Sequence, residues 1–126
     1  MRTVYIIVII VILLLGGSLI SYRYLQSTTQ TLGVELESVE KSISTEKWEI
    51  AEKDLNTTLE CWDKNKILWT VLLDHQEIDA IDIGINRLDK FIKTQNISLS
   101  LGEVSSLKLR LDHIADTEKL NLQNIL

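Results

Sequence analysis

No charged residue interrupts the chain from Thr3 to Tyr22, TVYIIVIIVILLLGGSLISY, and beyond it apolar residues recur among polar ones at spacings of three and four. Twenty uncharged residues make a helix of about 30 Å, the thickness of a bilayer's hydrocarbon core. Leu32, Leu36, Val39 and Ile43 then share one helical face, which predicts a helix over residues 29–43, with the polar run 27–31 as a loosening before it. Trp48, Ala51, Leu55, Leu59 and Trp62 line a second helix over 46–62, capped by Ser44-Thr45. Asp63-Lys64-Asn65-Lys66 reads as a polar turn. A third helix over 67–93 is expected to bury Leu68, Val71, Leu72, Ile78, Ile81, Ile85, Leu88 and Ile92, with Gly84 marking a close helix crossing or a mild kink. Ser100-Leu-Gly-Glu103 has the spacing of a capping box, which opens a fourth helix carrying Val104, Leu107, Leu111 and Ile114. The apolar tail of Leu120, Leu122, Ile125 and Leu126 is expected to pack back on the other helices.

The fold class predicted is all-α: an N-terminal transmembrane helix followed by an antiparallel bundle of about four helices, since short connections force neighbours to run in opposite directions. The anchor is assigned to residues 1–26 and the bundle to 27–126. No repeat of solenoid strength is present, although the Trp48, Ala51 and Leu55 pattern leaves a stacked helix-pair repeat open. A cleavable signal peptide has a basic start, an apolar core of about 7–15 residues and a small-residue cleavage site. The apolar run here is longer and resumes after Gly16-Gly17-Ser18, so an uncleaved signal-anchor is expected, with cleavage near Ser18 as the alternative. Arg2 and Arg23 flank the run almost evenly, and the residues after Arg23 are acidic. The expected topology is an N-terminus inside and a bundle on the outer face of the cytoplasmic membrane.

Charge narrows the partners. Arg2 and Arg23 flank the span, and the other 11 cations face 18 acids, a balance of −7 for the bundle. Such a module repels phosphate backbones and anionic head groups, so nucleic acid is excluded as a partner and no second membrane contact is expected beside the span of residues 3–22. Cys61 is the lone cysteine, proline is absent and glycines number five. No disulfide forms within the chain, so stability rests on helix packing.

Chemistry-bearing residues are sparse. No Ser, His and acid constellation, phosphate-binding Gly-rich loop, H-E-x-x-H or C-x-x-C is present, so neither a catalytic residue, a cofactor nor a metal site is assigned. Asn56-Thr-Thr58 and Asn96-Ile-Ser98 fit the glycosylation pattern and are given no role. His75 follows Val71 by four residues and precedes Ile78 by three, which places it at an apolar face with Glu118 of the fourth helix as its expected neighbour. The pair reads as a hydrogen-bonded core-edge contact, or as part of a metal or pH-sensing site. Trp62 and Trp69 bracket the expected turn and either seal the bundle end or face a partner. Trp62, Trp69, His75 and Glu77 are the candidate partner-binding residues.

E-K-W at Glu46–Trp48, C-W at Cys61-Trp62, W-T-V-L-L-D-H-Q-E-I-D from Trp69 to Asp79 and L-N-L-Q-N-I from Leu120 to Ile125 together resemble a known group. It is a family of short, single-span proteins of unknown function from clostridia and related Gram-positive spore formers. The resemblance covers nearly the whole chain and brings no activity. It implies an accessory subunit working beside a multi-pass membrane protein. The expected function is thus a non-enzymatic, membrane-anchored interaction protein, the alternative being a small ligand-, metal- or pH-sensing bundle built on His75 and nearby carboxylates.

Overall fold

Leu25, Thr29, Leu32, Leu36, Val39 and Ile43 recur at alternating intervals of four and three, so one unbroken stripe of the first helix faces the core. The computed structural model describes residues 1–125 and is all-α, with no strand among the described residues. Its helices are α1 (Arg2–Ser44), α2 (Trp48–Leu72), α3 (His75–Lys93) and α4 (Ile97–Ile125). Each packs on the next and α4 closes back on α1, giving an antiparallel four-helix bundle. Hydrogen bonds from Ser42 to Asp54 and from Tyr24 to Asn65 set the opposed directions of α1 and α2.

α1 is 43 residues long, about 65 Å at the usual helical rise. The expected loosening at residues 27–31 is absent. Thr28, Thr29 and Thr31 each donate a hydroxyl to the carbonyl one turn back, at 2.8–3.0 Å, so their polar side chains are satisfied by the helix itself. Val4 to Leu14 are exposed, whereas Leu25 already belongs to the core. One rigid rod therefore serves both as the apolar N-terminal stretch and as a core helix of the bundle.

Three boundaries differ from expectation. Residues 63–66 are no turn: α2 continues through them to Leu72, because Trp62 and Trp69 lie seven apart on its buried stripe and the intervening polar residues face outward or bond across it. The chain instead reverses at Leu73-Asp74, both with extended backbone, and α3 is the shortest of the four helices. Leu68 and Val71 are consequently exposed rather than buried, and Thr58 takes the core position expected of Leu59. Ser100 is fully buried inside α4 and caps nothing. Asn96 is the cap, its Oδ1 accepting the backbone N–H of Leu99 at 3.0 Å. Ser44 and Thr45 likewise bond back to Glu40 and Lys41 and do not cap α2.

The two turns farthest from the apolar stretch share a Schellman arrangement. After α1, Glu46 (φ 57°) donates to the Ile43 carbonyl and Lys47 to that of Ser42. After α3, Gln95 (φ 53°) donates to Ile92 and Asn96 to Phe91. Both left-handed positions are usually glycine, and here neither is. Leu126 and the side chain of Ile125, part of the tail expected to pack back, lie outside the described residues. Leu120 of that tail is exposed, and Leu122 is half-buried.

Candidate functional site

The two tryptophans come first, because they decide what α2 offers to the outside. Both are fully buried, with rings edge-to-face at 5.3 Å between centroids. Trp62 Nε1 donates to Asp82 Oδ1 at 2.6 Å, tying α2 to α3, and Trp69 Nε1 donates to Thr28 Oγ1 at 3.1 Å, tying α2 to α1. Buried indoles with satisfied N–H groups are core pieces. Trp62 and Trp69 therefore offer no surface to a partner in this fold, which corrects their placement among the candidate contact residues. Asp82, which sequence reasoning missed, also accepts from Lys66 Nζ at 2.6 Å, and this bond raises the Lys66 ammonium above its usual value.

His75 is the first residue of α3 and is exposed, not on an apolar face. The reason is the reversal at Leu73-Asp74: a residue in the first turn after it has no preceding turn beside it, and the buried seam starts at Ile78. Glu118 instead shares a cleft of about 210 Å³ with His113, Asp74 and Glu77, walled by Leu72, Leu73 and Ile114. The expected His75–Glu118 pair is thus absent: the cleft of Glu118 at the base of the bundle includes His113 in its lining but not His75. Glu77 is half-buried and bridges to Arg110 of α4 at 3.4 Å. Burial pushes the Glu118 carboxyl above its ordinary value. Among the described residues no three His, Cys, Asp or Glu side chains gather in a way that could hold a metal ion.

A second polar group lies between α1 and α2. Glu35 and Cys61 face each other across this seam, with Asn65 one turn from the thiol, donating to the Cys61 carbonyl at 2.8 Å and accepting from Tyr24 at 2.6 Å. Burial pushes the Glu35 carboxyl up, while the nearby thiol pulls it the other way. Burial and then the Glu35 charge push the Cys61 thiol up, the opposite of what an activated nucleophile needs. Spacing gave no sign of this seam, because Tyr24, Thr28 and Glu35 follow helical intervals but are polar.

α1 is the one helix among those described that is long and apolar enough to cross a membrane, and a signal sequence would have the same character. The sequence model of a family described as a domain of unknown function, DUF4363, matches residues 19–125. No curated protein and no solved structure matches the chain.

Proposed function

The chain belongs to the DUF4363 family, a domain of unknown function, and we propose that it is a non-enzymatic accessory protein anchored by residues 3–22 and bound through its bundle to a multi-pass membrane protein. One observation carries this reading: the apolar stretch and the core stripe from Leu25 to Ile43 occupy a single uninterrupted helix. A bundle on a flexible tether samples all orientations, whereas one built on its own span meets a neighbour in the same bilayer with fixed faces and at a fixed height. That pre-organisation suits lateral recognition, since little orientational freedom remains to be lost on binding. His75, exposed at the base of the bundle, and the adjoining Glu77 are the contact residues of this reading, now without the tryptophans. The bundle faces the outside of the cytoplasmic membrane.

Extraction of the full-length protein from its native membrane in mild detergent should retain a stoichiometric multi-pass protein, and His75→Ala with Glu77→Ala should release it. Recovery of the protein alone removes the reading. A pH-sensing role draws on a different observation, the cleft in which burial raises the Glu118 carboxyl above its ordinary value. It requires that Glu118→Gln abolish a pH-dependent change in partner retention, and it fails if retention is flat across pH 5–8.

A further inference from the structure

The base of the bundle overlaps the apolar stretch in height. Gln26 Nε2 donates to the Ala115 carbonyl at 3.0 Å, which fixes α4 against α1. The Glu77–Arg110 bridge places the start of α3 level with the His113 turn of α4, so the residues from Thr117 to Ile125 project past α3. Nine helical residues extend about 13 Å. They run beside the anchor: Glu118, Asn121 and Leu122 line one groove with Leu13, Leu14, Gly17 and Tyr22. A segment packed laterally against a straight spanning helix sits at the same depth as the part of that helix it touches.

Exposed apolar side chains stand there among polar ones. Leu120 on α4 is 59% exposed, and Ile67, Leu68 and Val71 on the last turns of α2 are 76%, 54% and 80% exposed. Tyr22 and Tyr24, residues that favour the membrane–water boundary, lie at this level of α1. Above it, the exposed α4 surface is mixed, with Leu109 standing among charged neighbours.

We propose that the base of the bundle is a second membrane contact: the end of α2 and the projecting turns of α4 form a collar with exposed apolar side chains beside α1, reaching from the interfacial layer of the bilayer into the adjoining half of the span. This rests on the reading of residues 3–22 as a span. It reverses the expectation from net charge, because a balance of −7 over the bundle says nothing about one end of it. α4 runs alongside the span rather than flat in the interface, so Leu120 faces the acyl boundary while the long side chain of Lys119 reaches back toward the head groups. Lipid, rather than a second copy, is the occupant assigned, because the collar is continuous with a surface that lipid already covers.

The test uses the full chain with Cys61→Ser and one added cysteine, at Leu120→Cys, Val71→Cys, Leu13→Cys or Leu109→Cys. Each carries an environment-sensitive fluorophore and is reconstituted in phosphatidylcholine vesicles with or without brominated acyl chains. Labels at positions 120 and 71 should be quenched by brominated lipid several-fold more than the label at 109, and by aqueous iodide several-fold less. If they behave as 109 does, the collar stands in water and the proposal is overturned. Shielding of 120 and 71 from both quenchers means that protein covers them, which also overturns it. Absence of lipid quenching at position 13 removes the span itself, whereas quenching at 13 without quenching at 120 and 71 removes only the collar.

Discussion

The bundle consists of two hairpins, α1 with α2 and α3 with α4, whose buried positions coincide when one is shifted 49 residues onto the other. Leu32 and Ile81, Leu36 and Ile85, Val39 and Leu88, and Ile43 and Ile92 correspond on the outgoing helices. Ala51 and Ser100, Leu55 and Val104, Thr58 and Leu107, and Trp62 and Leu111 correspond on the returning ones. The Schellman turns at Thr45-Glu46 and Thr94-Gln95 fall on the same shift. Yet the two hairpins hold themselves together differently. Between α1 and α2, hydrogen bonds from Tyr24, Ser42 and Trp69 cross the seam. Between α3 and α4, shape does more: a Cβ on Gly84 would lie 2.5 Å from Leu107 Cδ2. The hairpin that carries the anchor is pinned in register by directional bonds, which keeps a long rod from sliding. Its counterpart has the Glu77–Arg110 bridge and otherwise relies on close packing.

Giving the first hairpin the side chain of the second at one position should have the largest effect. Trp62→Leu places the Leu111 residue type on α2, opens a cavity and leaves Asp82 without its indole donor. A loss of roughly 3 kcal/mol is expected in denaturant unfolding of the full chain in micelles. Trp62→Phe, which keeps most of the volume but also lacks the indole donor, should lose less than half of that, and equal losses would show that the bond to Asp82, absent from both variants, matters here rather than packing. Gly84→Ala attacks the other seam. The added methyl meets Leu107 Cδ2 and Cγ, both buried, and a loss of about 1–3 kcal/mol is expected, recovered in part by Leu107→Val. A neutral Gly84→Ala would mean that α3 and α4 separate freely.

The periodic faces that make this comparison were readable before any coordinates, because burial repeats at three and four wherever a helix is covered on one side. What was not readable came from residues that serve both turns and helices. Asp63 to Lys66 looked like a turn by composition, but each of those residues is tolerated on an outer helical face, and only the seven-residue spacing of the tryptophans opposed that reading. Ser100 looked like a cap because Glu103 follows it, although it occupies the buried position of Ala51 in the other hairpin. The candidate site suffered most. Moving the reversal from residues 63–66 to Leu73-Asp74 put both tryptophans on the buried stripe of one helix, exposed His75, and left Asp74 and Glu77, rather than His75, in the cleft of Glu118.

Smaller effects sharpen the pairing of equivalent positions. The Ser100 hydroxyl is buried and finds no hydrogen-bond partner among the described residues. Ser100→Ala, which installs the residue of position 51, should stabilise the protein by about 1 kcal/mol, read as a higher melting temperature. A decrease would point to a bonded hydroxyl. At the turns, Gln95→Gly and Glu46→Gly relieve left-handed backbone and should each add up to about 1 kcal/mol. Loss of stability in either would show that the side chain, not the backbone, sets that turn.

Glu35 occupies the position equivalent to Gly84, so where one seam has a methyl-free crossing the other holds a carboxyl. One oxygen of Glu35 is buried without a partner among the described residues, and burial raises its pKa above the ordinary 4.5. A raised value means that the folded state binds the proton more tightly than the unfolded chain does. The stabilising contribution is therefore complete below the unfolded value and is lost as pH rises through the folded one. At neutral pH the seam carries a charge that burial disfavours. Glu35→Gln removes this charge while keeping the shape, and it should raise the melting temperature at pH 7, by less than about 1 kcal/mol of stability, with the gain shrinking as pH falls toward 4.5. A gain that persists unchanged at acid pH would assign the effect to packing. A loss at pH 7 would mean that the ionised carboxyl is held by the seam, and that the anchored hairpin depends on polar contacts at this position as well.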